Sequence, residues 1–268
     1  MPVIDMRADA PQLQIDDLPV LSDEDRVAAQ TTWRGRMVNE YVSSRVFGVL
    51  VGQLIAAGVR PTRVAEAATA VADELRHARS CASVLRALGG EPVADLPTLP
   101  EVPAHPDAGP LETALRNLLS VCCLSETVAV SLISAEFFEL EGSTIGDVLK
   151  GILADEVRHS RLGWNLVAEL MPQVDSAMRT RLNDYLRVAL THLRDHELSH
   201  LPPLRSPSSA AEQVGVCDGL AARALFQDTV RDVILPALRE RGLSGDAAWK
   251  ALTSDFTDSV DSNRCAVA

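Results

Sequence analysis

The chain has 268 residues, 47% of them apolar and 23% charged, with a net charge of −12 at pH 7. That apolar share supplies a sizeable core and excludes a wholly disordered chain, while 4% aromatics favour a nearly all-helical protein over a β-sandwich. The charge opposes nucleic acid and anionic membrane surfaces. No run approaching the roughly 20 apolar residues of a membrane span is expected, and Asp5, Asp9, Asp16 and Asp17 stand where a signal peptide would be basic and apolar. A soluble, cytoplasmic protein follows as the expectation. Cys81, Cys122, Cys123, Cys217 and Cys265 include no C-x-x-C, so reduced thiols are expected rather than a disulfide framework or zinc knuckle.

Residues 1–21 hold three prolines and scattered acids and read as an N-terminal arm. Ser22 then caps a helix with Asp23, Glu24 and Asp25 in its first turn, running to Ala57 before Gly58 and Pro61. A second helix starts at Pro61 and ends at Gly89-Gly90; a proline-rich connection reaches Pro110, which opens a third helix over 111–141. Gly142-Ser143-Thr144 breaks it, and a fourth helix runs to about Leu170 before Pro172. A fifth spans 173–201, Pro202 through Ser209 is a linker, and a sixth covers 210–242. Two short turns flanking one long connection predict an all-α four-helix bundle with a single crossover plus C-terminal helices. The expected division is 1–21 arm, 22–201 helical domain including the fifth helix, and 202–268 linker with helical extension.

Helices two and four carry one block twice, Ala72-Asp73-Glu74-Leu75-Arg76-His77 and Ala154-Asp155-Glu156-Val157-Arg158-His159, 82 positions apart. In each, Glu and His three residues apart project from one helix face, as a bidentate metal grip requires. A single E-x-x-H is an ordinary coincidence; two sharing Ala, Asp, Arg and spacing point to a di-metal carboxylate site. Such a site needs one Glu from each remaining helix. On helix one Glu40 is the only acid beyond the first turn, in a stripe with Trp33, Met37, Ser44, Phe47 and Val51. Helix three offers Glu126 and Glu136. Ligands on antiparallel neighbours must lie level about their joining turn: Glu40 and Glu74 centre on position 57, and Glu126 with Glu156 on 141 beside Gly142, which favours Glu126 over Glu136.

The bundle and its doubled Asp-Glu-x-Arg-His blocks resemble the ferritin-like di-iron carboxylate superfamily, in particular its oxygen-activating branch, over about residues 22–170. The resemblance implies Glu40, Glu74, His77, Glu126, Glu156 and His159 as ligands of two iron ions, Fe2+ or Fe3+, with Mn/Fe as the alternative pair and O2 as co-substrate. Asp73 is expected to reach His159, and Asp155 to reach His77, fixing each imidazole, with Arg76 and Arg158 balancing the acids. The implied function is a di-iron oxidase or oxygenase acting on a small organic substrate in specialised metabolism, with a protein or small-molecule electron donor and a homodimer as an allowed assembly. The alternative is a ferroxidase or iron-storage protein. An N-oxygenase would carry a further His where this chain has Ile152, and a rubrerythrin-like peroxidase would carry a C-x-x-C iron module.

His196-Glu197-Leu198-Ser199-His200 matches the zinc-protease motif H-E-x-x-H, but Pro202-Pro203 breaks the helix and no third ligand follows at the usual spacing. A solvated face is the simplest reading, with His192, His196 or His200 otherwise reaching the bundle as a ligand or substrate contact. Cys81 and Cys122 are expected to line the pocket. Gly163 and Ser44 either open space there or permit close helix packing.

Overall fold

The computed structural model describes residues 2–99, 101–201 and 206–253. It is mainly helical, 73% helix and 2% strand. The short strand β1 (Val3–Asp5) precedes α1 (Asp23–Ala56), whose N-terminus is capped by Ser22 Oγ accepting from the Asp25 amide at 3.1 Å. Three acids in that first turn complement the helix dipole. Gly58, at φ +70°, turns the chain in a backbone region that costs glycine least, and Pro61 opens α2 (Pro61–Ala87). The two helices pack against each other along their length.

Beyond α2, β2 (Val93–Asp95) pairs antiparallel with β1, Ile4 opposite Ala94, and Ile4, Met6 and Ala10 are buried. This ribbon is absent from an all-helical expectation because three residues are too few to display a strand period. The connection is fastened further along: Asn117 Nδ2 donates to Pro103 O and Gln53 Oε1, each at 2.8 Å. Helix α3 (Pro110–Leu118) runs through a π-helical stretch, Leu119–Ser125, into α4 (Glu126–Glu139). The expected third helix is thus continuous but not uniform, since its apolar pattern does not reveal a local widening.

By length and composition Pro110–Glu139 is the one described helix apolar enough to cross a membrane, which corrects the expectation that no run approaches that length. This is weak evidence for insertion, because helices buried inside a protein share that composition. Here the helix packs against α5 and buries Glu112, Arg116 and Glu126.

Ser143 Oγ caps α5 (Thr144–Leu170) by accepting from the Gly146 amide at 3.0 Å. α6 (Ser176–His200) follows, capped by Asp175. The expected linker from Pro202 to Ser209 falls partly on 202–205, and the tail with Cys265 on 254–268, both outside the described residues. The sixth helix expected over 210–242 is instead divided. α7 (Ser209–Glu212) ends ahead of Gly215 at φ +86°, and Asp218 caps a new start at α8 (Gly219–Thr229). A π-helical turn, Val230–Ile234, leads into α9 (Leu235–Glu240), and a last helix covers 246–253.

α1 packs on α2 and α3, α2 on α5, and α5 on α4. Their apolar faces form two separate clusters. One contains Phe47, Ala70, Val128 and Leu162; the other contains Met37, Ala78, Leu149 and Ile152. On α1, α2 and α5 the change from one cluster to the other falls at Glu40, at Glu74–His77 and at Glu156–His159. A polar layer therefore crosses the middle of the helices.

Candidate metal centre

That layer brings together all six ligand candidates named from the sequence. Glu40, Glu74, His77 and Glu156 offer ligand atoms within 4.8 Å of one another, and so do Glu74, Glu126, Glu156 and His159. The two groups share Glu74 and Glu156. Each could hold a metal ion, and the shared carboxylates lie where they can touch both.

Both imidazoles turn Nδ1 inward. His77 Nδ1 lies 3.1 Å from Glu156 Oε1 and 3.4 Å from Glu40 Oε2. His159 Nδ1 lies 3.2 Å from Glu74 Oε1, 3.2 Å from Glu156 Oε2 and 3.9 Å from Glu126 Oε2. Yet Glu74 Oε1 and His77 Nδ1 are buried without a hydrogen bond. They have carboxylate–imidazole distances but not hydrogen-bond directions, as expected of atoms aimed at a common centre. Buried polar atoms left in this way are costly unless a ligand satisfies them, so the donor set fits a cation pair.

Each imidazole Nε2 faces outward to an aspartate on the opposite helix: His77 to Asp155 Oδ2 at 3.0 Å, His159 to Asp73 Oδ2 at 3.3 Å. An Nε2–H donated there leaves Nδ1 as the lone-pair nitrogen facing the cluster. Arg76 and Arg158 each contact both aspartates, with Arg76 2.7 Å from Asp73 and Arg158 3.0 Å from Asp73. The result is a crossed lattice of two Asp and two Arg behind the two His.

Without a cation the charge is balanced by protons. Burial pushes Glu74 up to about 8 and also raises Glu126. Burial acts the same way on Glu156, but its close contacts with Glu126 and with the His159 and His77 imidazoles outweigh it and hold that carboxyl below its ordinary range. For the imidazoles burial favours the neutral form, and the surrounding carboxylates overcome it, raising His77 to about 11 and His159 to about 10.

Glu136 is placed elsewhere: Arg36 Nη2 contacts both its oxygens at 2.5 Å. This pair and Cys217 line a cavity of about 1150 Å³ on whose wall lie Glu40, Glu74, Glu126 and Glu156. Cys81 and Cys122 do not line it; both are buried within the apolar clusters, which corrects their expected position. At Gly163 an added Cβ would stand 2.3 Å from Cys122 Cβ, so this glycine serves close packing of α5 on the π-helical stretch. His196, Glu197 and His200 face the cavity from α6, whereas His192 lies on a separate shallow depression. No metal-holding group includes them among the described residues.

Sequence reasoning missed Thr127, Ser160 and Trp164. Trp164 Nε1 donates to Thr127 Oγ1 at 3.0 Å, which lies 2.9 Å from Ser160 Oγ. These residues bind the chain positions just after Glu126 and His159 to each other. The signal available was adjacency to a ligand, too common to be selective. Comparison with protein-family models and with curated proteins finds no match.

Proposed function

We propose that this chain is a non-haem di-iron oxidase or oxygenase of ferritin-like architecture that activates O2 to oxidise a small organic substrate. The observation that carries the reading is the pair of four-residue groups sharing Glu74 and Glu156 beside a cavity of about 1150 Å³. Glu40, Glu74, His77 and Glu156 would hold one iron, and Glu74, Glu126, Glu156 and His159 the other; four carboxylates match the charge of two divalent ions. Bound iron supplies the one-electron and O2 chemistry that side chains lack.

The protein's own residues set the conditions. Asp73 and Asp155 hold the imidazoles in the tautomer that presents Nδ1 inward. The Arg36–Glu136 pair keeps a second carboxylate of the α3–α4 helix away from the cluster. Leu132, Ile133, Leu149 and Ile152 give the cavity an apolar wall that limits water near the centre. Electrons would come from an external reductant, protein or small molecule, with the chain acting as a soluble, cytoplasmic enzyme. A Mn/Fe pair would use the same donors.

Anaerobic iron loading tests this reading. Two iron per chain, with an optical change on adding O2, is expected; zero or one iron would refute it. The acids Asp23, Glu24 and Asp25 on the cavity lining favour a second reading, a ferroxidase that draws iron inward. Repeated turnover of Fe2+ with retention of ferric mineral would select that function.

A further inference from the structure

The charged groups that line the cavity differ in how their charge is matched. Its lining includes the carboxylates of the candidate metal centre. From the last turns of α6 it is lined by His196, Glu197 and His200. Two divalent ions would neutralise Glu40, Glu74, Glu126 and Glu156. Glu136 is matched by Arg36, the only Lys or Arg among the described lining residues. Asp23, Glu24 and Asp25 form the first turn of α1, where the helix terminus favours them.

Glu197 is the exception. No described group forms an ion pair or side-chain hydrogen bond with it, and burial alone pushes its carboxyl up to about 7. Its neighbour His196 provides no counter-charge, since burial together with His200 and His192 lowers it to about 4. A half-buried carboxylate without a partner is poorly solvated and gains most from a cation brought by a ligand. Leu132, Ile133, Leu149 and Ile152 line the same cavity. Among the described lining residues, no Lys or Arg other than the paired Arg36 could meet a carboxylate or phosphate.

We propose that the cavity takes a small amphipathic amine, its ammonium group paired with Glu197 and its apolar body along the leucine and isoleucine wall. This assignment rests on the di-metal reading, because it places the oxidisable part of the substrate toward the metal centre. It also gives the H-E-x-x-H segment a role: its glutamate binds substrate rather than activating a zinc-bound water.

Hexylamine, 1-hexanol and hexanoate, titrated calorimetrically into the full chain loaded with Zn(II) at pH 8, test the assignment. Hexylamine is expected to bind about tenfold tighter than hexanol, with hexanoate weakest. Glu197→Gln should remove that tenfold preference and leave hexanol binding unchanged, and Glu197→Asp should restore part of it. Equal binding of amine and alcohol would overturn the proposal. So would an amine preference that survives Glu197→Gln, the outcome of direct ligation to zinc. A Glu197→Gln variant that melts at the wild-type temperature but loses both ligands equally would also overturn it. Zinc content measured on the same samples separates the two claims. Two zinc per chain without amine selectivity refutes this inference alone; fewer than two with Glu197-dependent selectivity refutes the di-metal reading alone.

Discussion

At the residue scale the two aspartates do more than neutralise arginines. Asp155 and Asp73 are nearly buried, and each touches the imidazole of the opposite helix while Arg76 and Arg158 remain half exposed. An exposed ion pair contributes about 0–1 kcal/mol, whereas loss of a group orienting a ligand costs about 10- to 100-fold in metal affinity or activity. Asp155→Asn should therefore weaken iron binding or slow reaction with O2 by that factor while melting near the wild-type temperature. Unchanged iron affinity and oxygen kinetics in Asp73→Asn and Asp155→Asn would reduce the lattice to surface pairing. The contrast between the two helix-three candidates is sharper. Glu126→Ala should sharply lower metal content, and Glu136→Ala should leave it, because Glu136 is engaged by Arg36. Plasma emission measurements of iron per chain decide between them.

These positions also show what the sequence could display. Residues three apart on a helix share a face whatever the tertiary context, so the E-x-x-H pairs were legible. The choice of Glu126 followed from the level of antiparallel neighbours about a turn. The Arg36–Glu136 pair was not legible: its partners are 100 positions apart and no local period relates them. Nor was the position of Glu197, which no group among the described residues pairs with, since that depends on which side chains fail to reach it.

At the element scale the π-helical stretch Leu119–Ser125 ends one residue before Glu126. A π turn widens the helix and shifts the angular position of everything after it. Inserting one alanine after Val121 adds a residue that the widened turn has no further room to absorb, and should rotate Glu126 by about 100° relative to α3. The group containing Glu126 would lose a ligand, and the group containing Glu40 would keep all four. Metal content is expected to fall from two ions to about one, with helicity retained by circular dichroism. Retention of two ions would show that the angular register set by α3 and the widened turn has no part in placing Glu126. Helix boundaries near Gly58, Pro61, Ser143 and Asp175 were readable because each carries its own capping chemistry. The widened turn was not, since Leu, Val and Cys fit α and π geometry equally well.

At the scale of the whole molecule, the protons that stand in for cations make stability depend on pH. His77 and His159, raised to about 11 and 10, contribute stability that is complete below the ordinary imidazole value and is lost as pH rises through those values. Glu74, raised to about 8, acts in the same direction, its contribution complete below the ordinary carboxyl value and lost as pH rises through 8. The metal-free protein should therefore melt at progressively lower temperature from pH 7 to pH 10. Metal loading fixes these groups deprotonated, so the loaded protein should hold a nearly constant Tm over the same range, and loading at pH 7 should release protons measurable by pH-stat. A metal-free Tm that is flat or rises over this interval would contradict the charge balance described.

The polar layer between the two apolar clusters has a consequence for how the fold opens. Each cluster is closed on itself, and on α1, α2 and α5 the layer interrupts the hydrophobic contact that would join them. Sub-global openings tend to begin where apolar contact is sparse. Amides of α2 and α5 around Glu74–His77 and Glu156–His159 should then exchange with deuterium faster than those beside Leu85 or Leu166 when the protein is free of metal. Two ions binding six side chains from four helical segments would close that seam, and exchange would become uniform along both helices. A pair of cations held there would in this sense join the two halves of the core.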